Sequence, residues 1–323
     1  RVHYFPNSEV NAQGQVVSLV TGSTVDITSN KQVDAGYMQV EVPATRDPDY
    51  AVDSGVTCVP VNALAKVARP GRIYSIIGGG KTAMDAVLWL LSNEVEAKNI
   101  HWVRPRDSWI LNRANIQPGE LAAKSQQSFV RQMVEIAESE TPEDMFQRLN
   151  AAEILWRLDD AVWPTMYRCA TVTSAEFAQL QRVTNVVRMG HVQRIQTEGL
   201  QLAEGSYALP HDTLYIDCSA DGLAKRPSKA IFQDQSITLQ TVRFCQQVFS
   251  AAFIAHAEVA YADDAEKNTI CNVVPHPDTA EDFIRVTLAN TLNGVTWSQD
   301  EALTQWLIAA RLDGFSAVRR SDD

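Results

Sequence analysis

Ile73-Tyr74-Ser75-Ile76-Ile77-Gly78-Gly79-Gly80-Lys81-Thr82-Ala83-Met84-Asp85-Ala86 decides how this chain folds. A short apolar run, the pattern of a buried strand, stops at three glycines, and helical periodicity begins at once. Glycines at such a junction let backbone N–H groups approach a phosphate closely, and the helix N-terminus that follows favours its negative charge. The spacing Gly78-x-Gly80-x-x-Ala83 fits the dinucleotide fingerprint with alanine at the third position. In that reading Gly78 makes the tight turn, Gly80 clears room for the pyrophosphate, and Ala83 lets helix and strand pack closely. A purely structural glycine turn is the alternative.

The surroundings favour the ligand reading. A helix from about Thr82 to Ser92 and a second strand from Ile100 to Arg104 complete a βαβ unit of suitable length. Gly80-Lys81-Thr82 also ends like a P-loop, but that motif needs a glycine at position 75, which is Ser75 and lies in the strand. The second strand ends in Arg104-Pro105-Arg106-Asp107. Arg104 and Arg106 suit the 2′-phosphate of NADP, whereas Asp107 leaves NAD open.

Outward from this unit, residues 1–68 read as short strands (Val2 to Phe5, Val16 to Val20, Thr24 to Ile27, Gln32 to Ala35) separated by Gly, Asn and Ser turns. Residues 118–165 turn helical, with Thr141 as N-cap and Pro142 at the first helical position. Strands return at Val183 to Met189, Val192 to Gln196, Leu200 to Ala203 and Thr213 to Cys218. Helices are expected over Thr241 to Tyr261, Thr279 to Asn293 and Asp300 to Leu312.

A net charge of −11 argues against a nucleic-acid partner, and apolar runs such as Val248 to Ile254 are too short to cross a bilayer. The five cysteines are scattered without a Cys-x-x-Cys pair, so no metal is expected and the thiols read as reduced. With no leader-like opening, the expected compartment is the cytoplasm. The opening Arg1-Val2-His3-Tyr4-Phe5 reads as a strand already under way, as in a piece of a longer gene product.

Taken with its surroundings, the glycine turn resembles that of the two-dinucleotide flavoproteins, the superfamily of flavin-containing monooxygenases and pyridine-nucleotide oxidoreductases. The resemblance implies an α/β fold: a Rossmann-like NAD(P)-binding domain (69–212, helical insertion at about 118–165) inserted into an FAD-binding-type domain. Residues 1–68 would be a strand-rich remnant of that outer domain, and residues 213–323 its return with C-terminal helices. Val33-Asp34-Ala35-Gly36-Tyr37 and Leu214 to Gly222 resemble the crossings between the domains, although neither reads Ala-Thr-Gly. The first Gly-x-Gly-x-x-Gly of the superfamily, which holds FAD, is not in this sequence. The resemblance also implies that Asp221 and Gly222 form a turn near the flavin, and that Gln240 and Thr241 open a helix whose N-terminus faces it.

The candidate cofactor-binding residues are thus Gly78, Gly79, Gly80, Lys81, Thr82, Ala83, Arg104, Arg106, Asp221, Gly222, Gln240 and Thr241. The cofactors are NADP, with NAD as an alternative, and FAD in the full-length parent. Hydride transfer needs orientation and electrostatics from the protein more than a catalytic side chain. His276 is the one weak catalytic candidate; His256 reads as a packed helix residue, and Asn112, Arg113 and Asn115 as a capped turn or a phosphate contact. The expected function is an NADP-dependent flavoprotein oxidoreductase, monooxygenase- or reductase-like, acting on a small molecule. A non-catalytic dinucleotide sensor and a flavin-free dehydrogenase are the alternatives.

Overall fold

Tyr74-Ser75-Ile76-Ile77 is buried along its whole length, as a strand must be when both faces of a parallel sheet are covered. In the computed structural model, which describes residues 2–69 and 71–314, it is the centre of a five-stranded sheet. The strands are Thr57–Pro60 (β1), Tyr74–Ile77 (β2), Ile100–Val103 (β3), Val186–Val187 (β4) and Leu214–Asp217 (β5). All neighbours run parallel in the order β4-β3-β2-β5-β1.

The two faces are covered differently. Tyr74, Ile76, Ile100, Trp102, Leu214 and Ile216 pack under the helix Lys81–Ser92 (α1), through Ala83, Met84, Val87 and Leu90. Ile77, Val103 and Tyr215 pack against Ile195, Leu200 and Leu202. Those belong to an antiparallel meander of Val192–Gln196, Gly199–Leu202 and Gly205–Ala208. Each large side chain buried this way contributes on the order of 2 kcal/mol. The fold is α/β with a doubly covered parallel sheet, as the glycine-turn unit requires.

A smaller sheet joins residues far apart in sequence. Gln32–Asp34 lies parallel to Ser236–Thr238, which pairs in turn with Phe232–Gln233. Phe232 and Ile237 share a core with Phe249, Phe253 and Ile254 and with Trp297. A third region follows β3. Ser108–Asn112 sits between Leu155–Trp156 and a long strand, Met166–Val172, near the helices Ala122–Ala137 (α2) and Pro142–Ala151 (α3). Thr141 caps α3, accepting from the Asp144 N–H at 3.1 Å, with Pro142 at its first turn.

Several expectations are corrected. Borders at 68/69 and 212/213 cut through one sheet, because Ile216 of β5 is registered with both Val59 of β1 and Ile76 of β2. The helix expected from Thr241 begins six residues later, at Gln247–Ala260 (α4), because residues 239–241 are bonded to distant segments at Asp34, Lys229 and Val274. The helix expected over Thr279 to Asn293 is Asp282–Ser298 (α5). Val2 to Phe5 is not a strand; the opening ribbon is Ser8–Val10, Gln15–Ser18 and Thr24–Asp26. Thr57–Pro60 and Met166–Val172 are strands without a counterpart among the expected ones.

Candidate functional site

The three glycines are held by different constraints. Gly78 has φ +136°, and a Cβ there would lie 2.5 Å from the Cys218 carbonyl oxygen. A Cβ on Gly79 would lie 2.6 Å from the Arg106 carbonyl oxygen. Both glycines are thus demanded by backbone that passes too close for a side chain. Gly80 differs: it caps α1 with φ −90°, and nothing lies within 4 Å of a Cβ placed on it. No contact among the described residues requires glycine there, whereas a ligand approaching the backbone would. Ala83 is fully buried against the sheet.

The N–H groups of Gly79, Gly80, Lys81 and Thr82 have no acceptor among the described residues. They cluster at the start of a twelve-residue helix, where the macrodipole adds partial positive charge. From β2 the chain crosses to β3 on one side, while β5 enters on the other. The turn therefore opens at the switch point of the sheet, where α/β proteins form a crevice. Lys81 folds back onto Asp85 of the next helical turn, and Thr82 is exposed.

The loops leaving β3 and β5 carry a charged cluster to the same edge. Asp278 accepts from Arg106 Nη2 at 3.0 Å and Arg168 Nε at 2.9 Å, and pairs with Lys225 Nζ at 2.9 Å. Arg168 also donates to the Asp221 carbonyl at 2.9 Å, and Lys225 pairs with the Asp221 carboxylate at 3.3 Å. Three cations face two carboxylates, leaving a surplus positive charge. Burial alone would raise the pKa of Asp278, but bonds from Lys225, Arg168 and Arg106 hold it well below the usual carboxylate range. Beside the cluster lies a cavity of about 370 Å³ whose walls include Arg168, Asp221, Gln240, Thr241 and His276. Burial, and then Arg168, lowers the pKa of His276, so at neutral pH it is an uncharged imidazole able to accept a proton.

Folding thus gathers Arg106, Asp221, Gln240, Thr241 and His276 around one charged crevice, next to the glycine turn. Gln240 and Thr241 are largely committed: the Gln240 amide brackets the Lys229 backbone at 3.1 and 2.8 Å, and Thr241 donates to the Val274 carbonyl at 2.7 Å. Neither opens a helix. Gly222 has φ +83° and starts the short strand paired with Val40–Glu41.

Arg104 is a correction. Its side chain is only 4% exposed, paired with Asp107 at 3.1 Å and laid over the Trp102 ring at 4.8 Å. Burial brings its pKa down to about 10. A guanidinium so enclosed does not reach a phosphate at the strand end. Asn112, Arg113 and Asn115 form a capped turn: Asn112 accepts from the Ala114 N–H at 2.9 Å, and Asn112 and Asn115 both donate to the Glu153 carbonyl. His256 is stacked on Trp306 at 4.2 Å.

Sequence reasoning missed Arg168 and Asp278, which lie in unremarkable segments and meet only in the fold. It also missed Asp217 at the end of β5. Asp217 Oδ1 accepts from the Ser219 N–H and hydroxyl at 2.9 and 2.6 Å, while Oδ2 is buried without a partner. An apolar strand ending in Asp was the available signal. Burial pushes the thiol pKa of nearby Cys58 up to about 11, which disfavours its thiolate. A further correction concerns the cysteines: Cys169 and Cys245 form a disulfide, leaving Cys58, Cys218 and Cys271 free. Among the described residues no cluster of His, Cys, Asp and Glu suits a metal, and no helix is long and apolar enough to cross a membrane.

No family model matches the chain. Uncharacterized proteins of Mycobacterium tuberculosis and Mycobacterium bovis are each 45% identical to it over 314 residues, which is 97% of this chain and 58% of theirs. The chain therefore spans a little over half the length of these curated relatives. Among solved structures, it resembles OTEMO in complex with FAD and NADP at 11% identity, over 98% of this chain and 74% of that one, with a TM-score of 0.41. It resembles reduced CoADR-RHD of Bacillus anthracis at 11% identity (90% and 42% covered, TM-score 0.35). A further likeness is to an FAD-dependent pyridine nucleotide-disulphide oxidoreductase of Desulfovibrio vulgaris at 15% identity (65% and 40% covered, TM-score 0.24).

Proposed function

We propose that this chain binds NADP at the glycine turn and is part of a flavoprotein oxidoreductase that acts on a small molecule. One observation carries the reading: four N–H groups at the mouth of α1 that are unpaired among the described residues, beside a glycine whose missing side chain no described residue requires. A pyrophosphate fits this cradle, receiving hydrogen bonds from residues 79–82 without displacing any existing acceptor. Bound there, the nicotinamide cofactor supplies a hydride.

The chain's own part is to bind and orient. The Arg106 side chain is about one third exposed and tethered by Asp278 at 3.0 Å, which keeps it at the strand end where a 2′-phosphate would lie. The surplus cation of the Asp278 cluster favours an anionic ligand in the adjoining cavity. Uncharged His276 on its wall accepts or holds a proton at the imidazole.

For flavin the fit is incomplete. A second glycine-rich turn between strand and helix is not found among the described residues.

Calorimetric titration of the purified chain with NADPH and NADH tests the reading. Saturable binding with NADPH preferred supports it, and failure to bind either nucleotide removes its basis. In the full-length protein a yellow preparation, absorbing near ~450 nm, supports the flavoenzyme. A colourless protein that still binds NADPH supports the non-catalytic sensor.

A further inference from the structure

The strand Met166–Val172 has a cavity on each side. Met166 and Arg168 turn toward the glycine turn and the Asp278 cluster. Tyr167, Cys169 and Thr171 line a second cavity, larger at about 940 Å³ and within the range of small-molecule sites. Its walls are mainly hydrocarbon, drawn from Leu111, Ile116, Phe129, Val130, Ile154 and Phe283, and the Cys169–Cys245 disulfide forms part of one side. Among the described residues of the wall the one charged side chain, Arg243, is paired with Asp313 at 3.2 Å.

Two fully buried side chains in this wall carry polar groups without a partner among the described residues. Asn290, on α5, is only 3% exposed, and neither end of its amide has a partner among the described residues; its carbonyl oxygen is wholly buried. Tyr167 is 1% exposed, and its hydroxyl likewise makes no hydrogen bond. Burial pushes its pKa up, so it remains a neutral donor. Buried polar groups in proteins are nearly always paired, and the unpaired Asn290 side-chain nitrogen, which unlike the oxygen is not fully enclosed, marks the place of a missing acceptor. The neighbouring face of α5 prepares that space: Phe283, Asn290 and Gly294 line the same side, and Gly294 keeps it open.

We propose that this cavity binds an uncharged, largely apolar small molecule through one hydroxyl group, which pairs with the Asn290 amide and lies within reach of the Tyr167 hydroxyl. The ligand's hydroxyl oxygen accepts from the Asn290 side-chain N–H and can accept from the Tyr167 hydroxyl as well. The ligand class follows from the cavity alone. Its identification as the substrate rests on the oxidoreductase reading above, so the test uses no nucleotide.

Equilibrium dialysis of the 323-residue chain against 2-naphthol and naphthalene provides the test. The expected result is one saturable site that binds 2-naphthol about 5- to 10-fold more tightly, the value of one hydrogen bond. Asn290→Leu keeps the volume and removes the amide, and should bring the two affinities together. Gly294→Phe fills the cavity from a position where the nearest atom to a new Cβ is the flexible Arg243 Nη1 at 3.8 Å. It should weaken both ligands by on the order of 10-fold. Thermal melting establishes that each variant is folded. The proposal is overturned by the absence of saturable binding, by a hydroxyl preference that persists in Asn290→Leu, or by a folded Gly294→Phe that binds like the wild type. If these results hold while NADPH fails to bind, the cavity assignment stands and its description as a substrate site falls.

Discussion

Gly78→Ala and Gly80→Ala differ by one methyl group at positions two residues apart, yet the structure assigns them opposite consequences. At Gly78 the new methyl carbon would sit 2.5 Å from the Cys218 carbonyl oxygen and 2.9 Å from its carbon. Cys218 cannot yield freely, because its N–H donates to Ile77 at 2.9 Å and so locks β5 to β2. The backbone would also have to hold alanine at φ +136°, which costs about 1–3 kcal/mol. Overpacking against fixed backbone adds about 1–3 kcal/mol. A loss of about 2–6 kcal/mol is a large share of the ~5–15 kcal/mol by which domains are stable. At Gly80 the methyl meets nothing and φ is ordinary, so only the helix cap weakens, by less than about 1 kcal/mol.

Ligand binding should separate the pair in the opposite sense. A pyrophosphate oxygen about 2.9 Å from the turn's N–H groups leaves no room for a methyl on Gly80. Folded Gly80→Ala should then lose at least about 10-fold in NADPH affinity, or ~1.4 kcal/mol. Urea unfolding and calorimetric titration of both variants give the two readouts. The reasoning is refuted if Gly78→Ala unfolds at the wild-type urea concentration, or if Gly80→Ala binds NADPH as the wild type does.

Arg106→Ala should weaken NADPH by about 10- to 100-fold, the value of a charge-assisted bond, while sparing NADH; equal losses in parallel titrations would contradict a 2′-phosphate contact. Acid should destabilise the fold. For Asp221, as for Asp278, the raising effect of burial is outweighed by bonds from cations, so both titrate below their unfolded values. Their stabilisation is complete above about pH 4 and is lost as pH falls through the folded values. His276, also lowered, contributes nothing above about pH 6.5, but below it the unfolded chain takes up the proton first and stability declines. Both signs agree, so the urea midpoint should be flat between about pH 7 and 8 and fall on acidification; a rise between pH 7 and 5 would contradict the assigned environments. Reducing the Cys169–Cys245 bond, which spans 76 residues, should cost about 4 kcal/mol on the chain-entropy account, and an unchanged urea midpoint in reductant would argue against the bond.

The glycine-turn unit was legible because everything that specifies it is local. Strand, turn, helix and second strand occur within about thirty residues, and apolar period, glycine positions and Ala83 agree. Thr141 and Pro142 were readable for the same reason. Arg104 shows where local reading stops: its neighbours in sequence suggest a phosphate fork, but Trp102 and Asp107 hold it inside. Asp278 lies 172 residues from Arg106 and 110 from Arg168, and nothing within its own segment signals that three cations converge on it. The disulfide is of the same kind, a pairing set by the meeting of a strand and a distant turn. The late start of α4 has a similar cause, since Gln240 and Thr241 are held by the backbone of residues 229 and 274, which local sequence does not announce.

The strand Met166–Val172 shows how one element can separate two chemistries. Alternation along a strand sends successive side chains to opposite faces. Arg168 therefore faces the carboxylates at the sheet edge, while Tyr167 and Cys169 face hydrocarbon. Both faces are anchored: Arg168 ties the strand to residues 221 and 278, and Cys169 ties it covalently to residue 245. Cys169 takes φ +56°, and pairing with Ser108–Asn112 slips there, from Trp109 opposite Tyr167 to Leu111 opposite Thr171. Such an irregularity re-aims side chains without ending the strand. The charged crevice and the apolar cavity consequently share a wall one strand thick. A molecule held by Asn290 would lie across that wall from the Arg168 and Asp278 cluster, so a reaction joining the two sites would have to pass around an end of this strand.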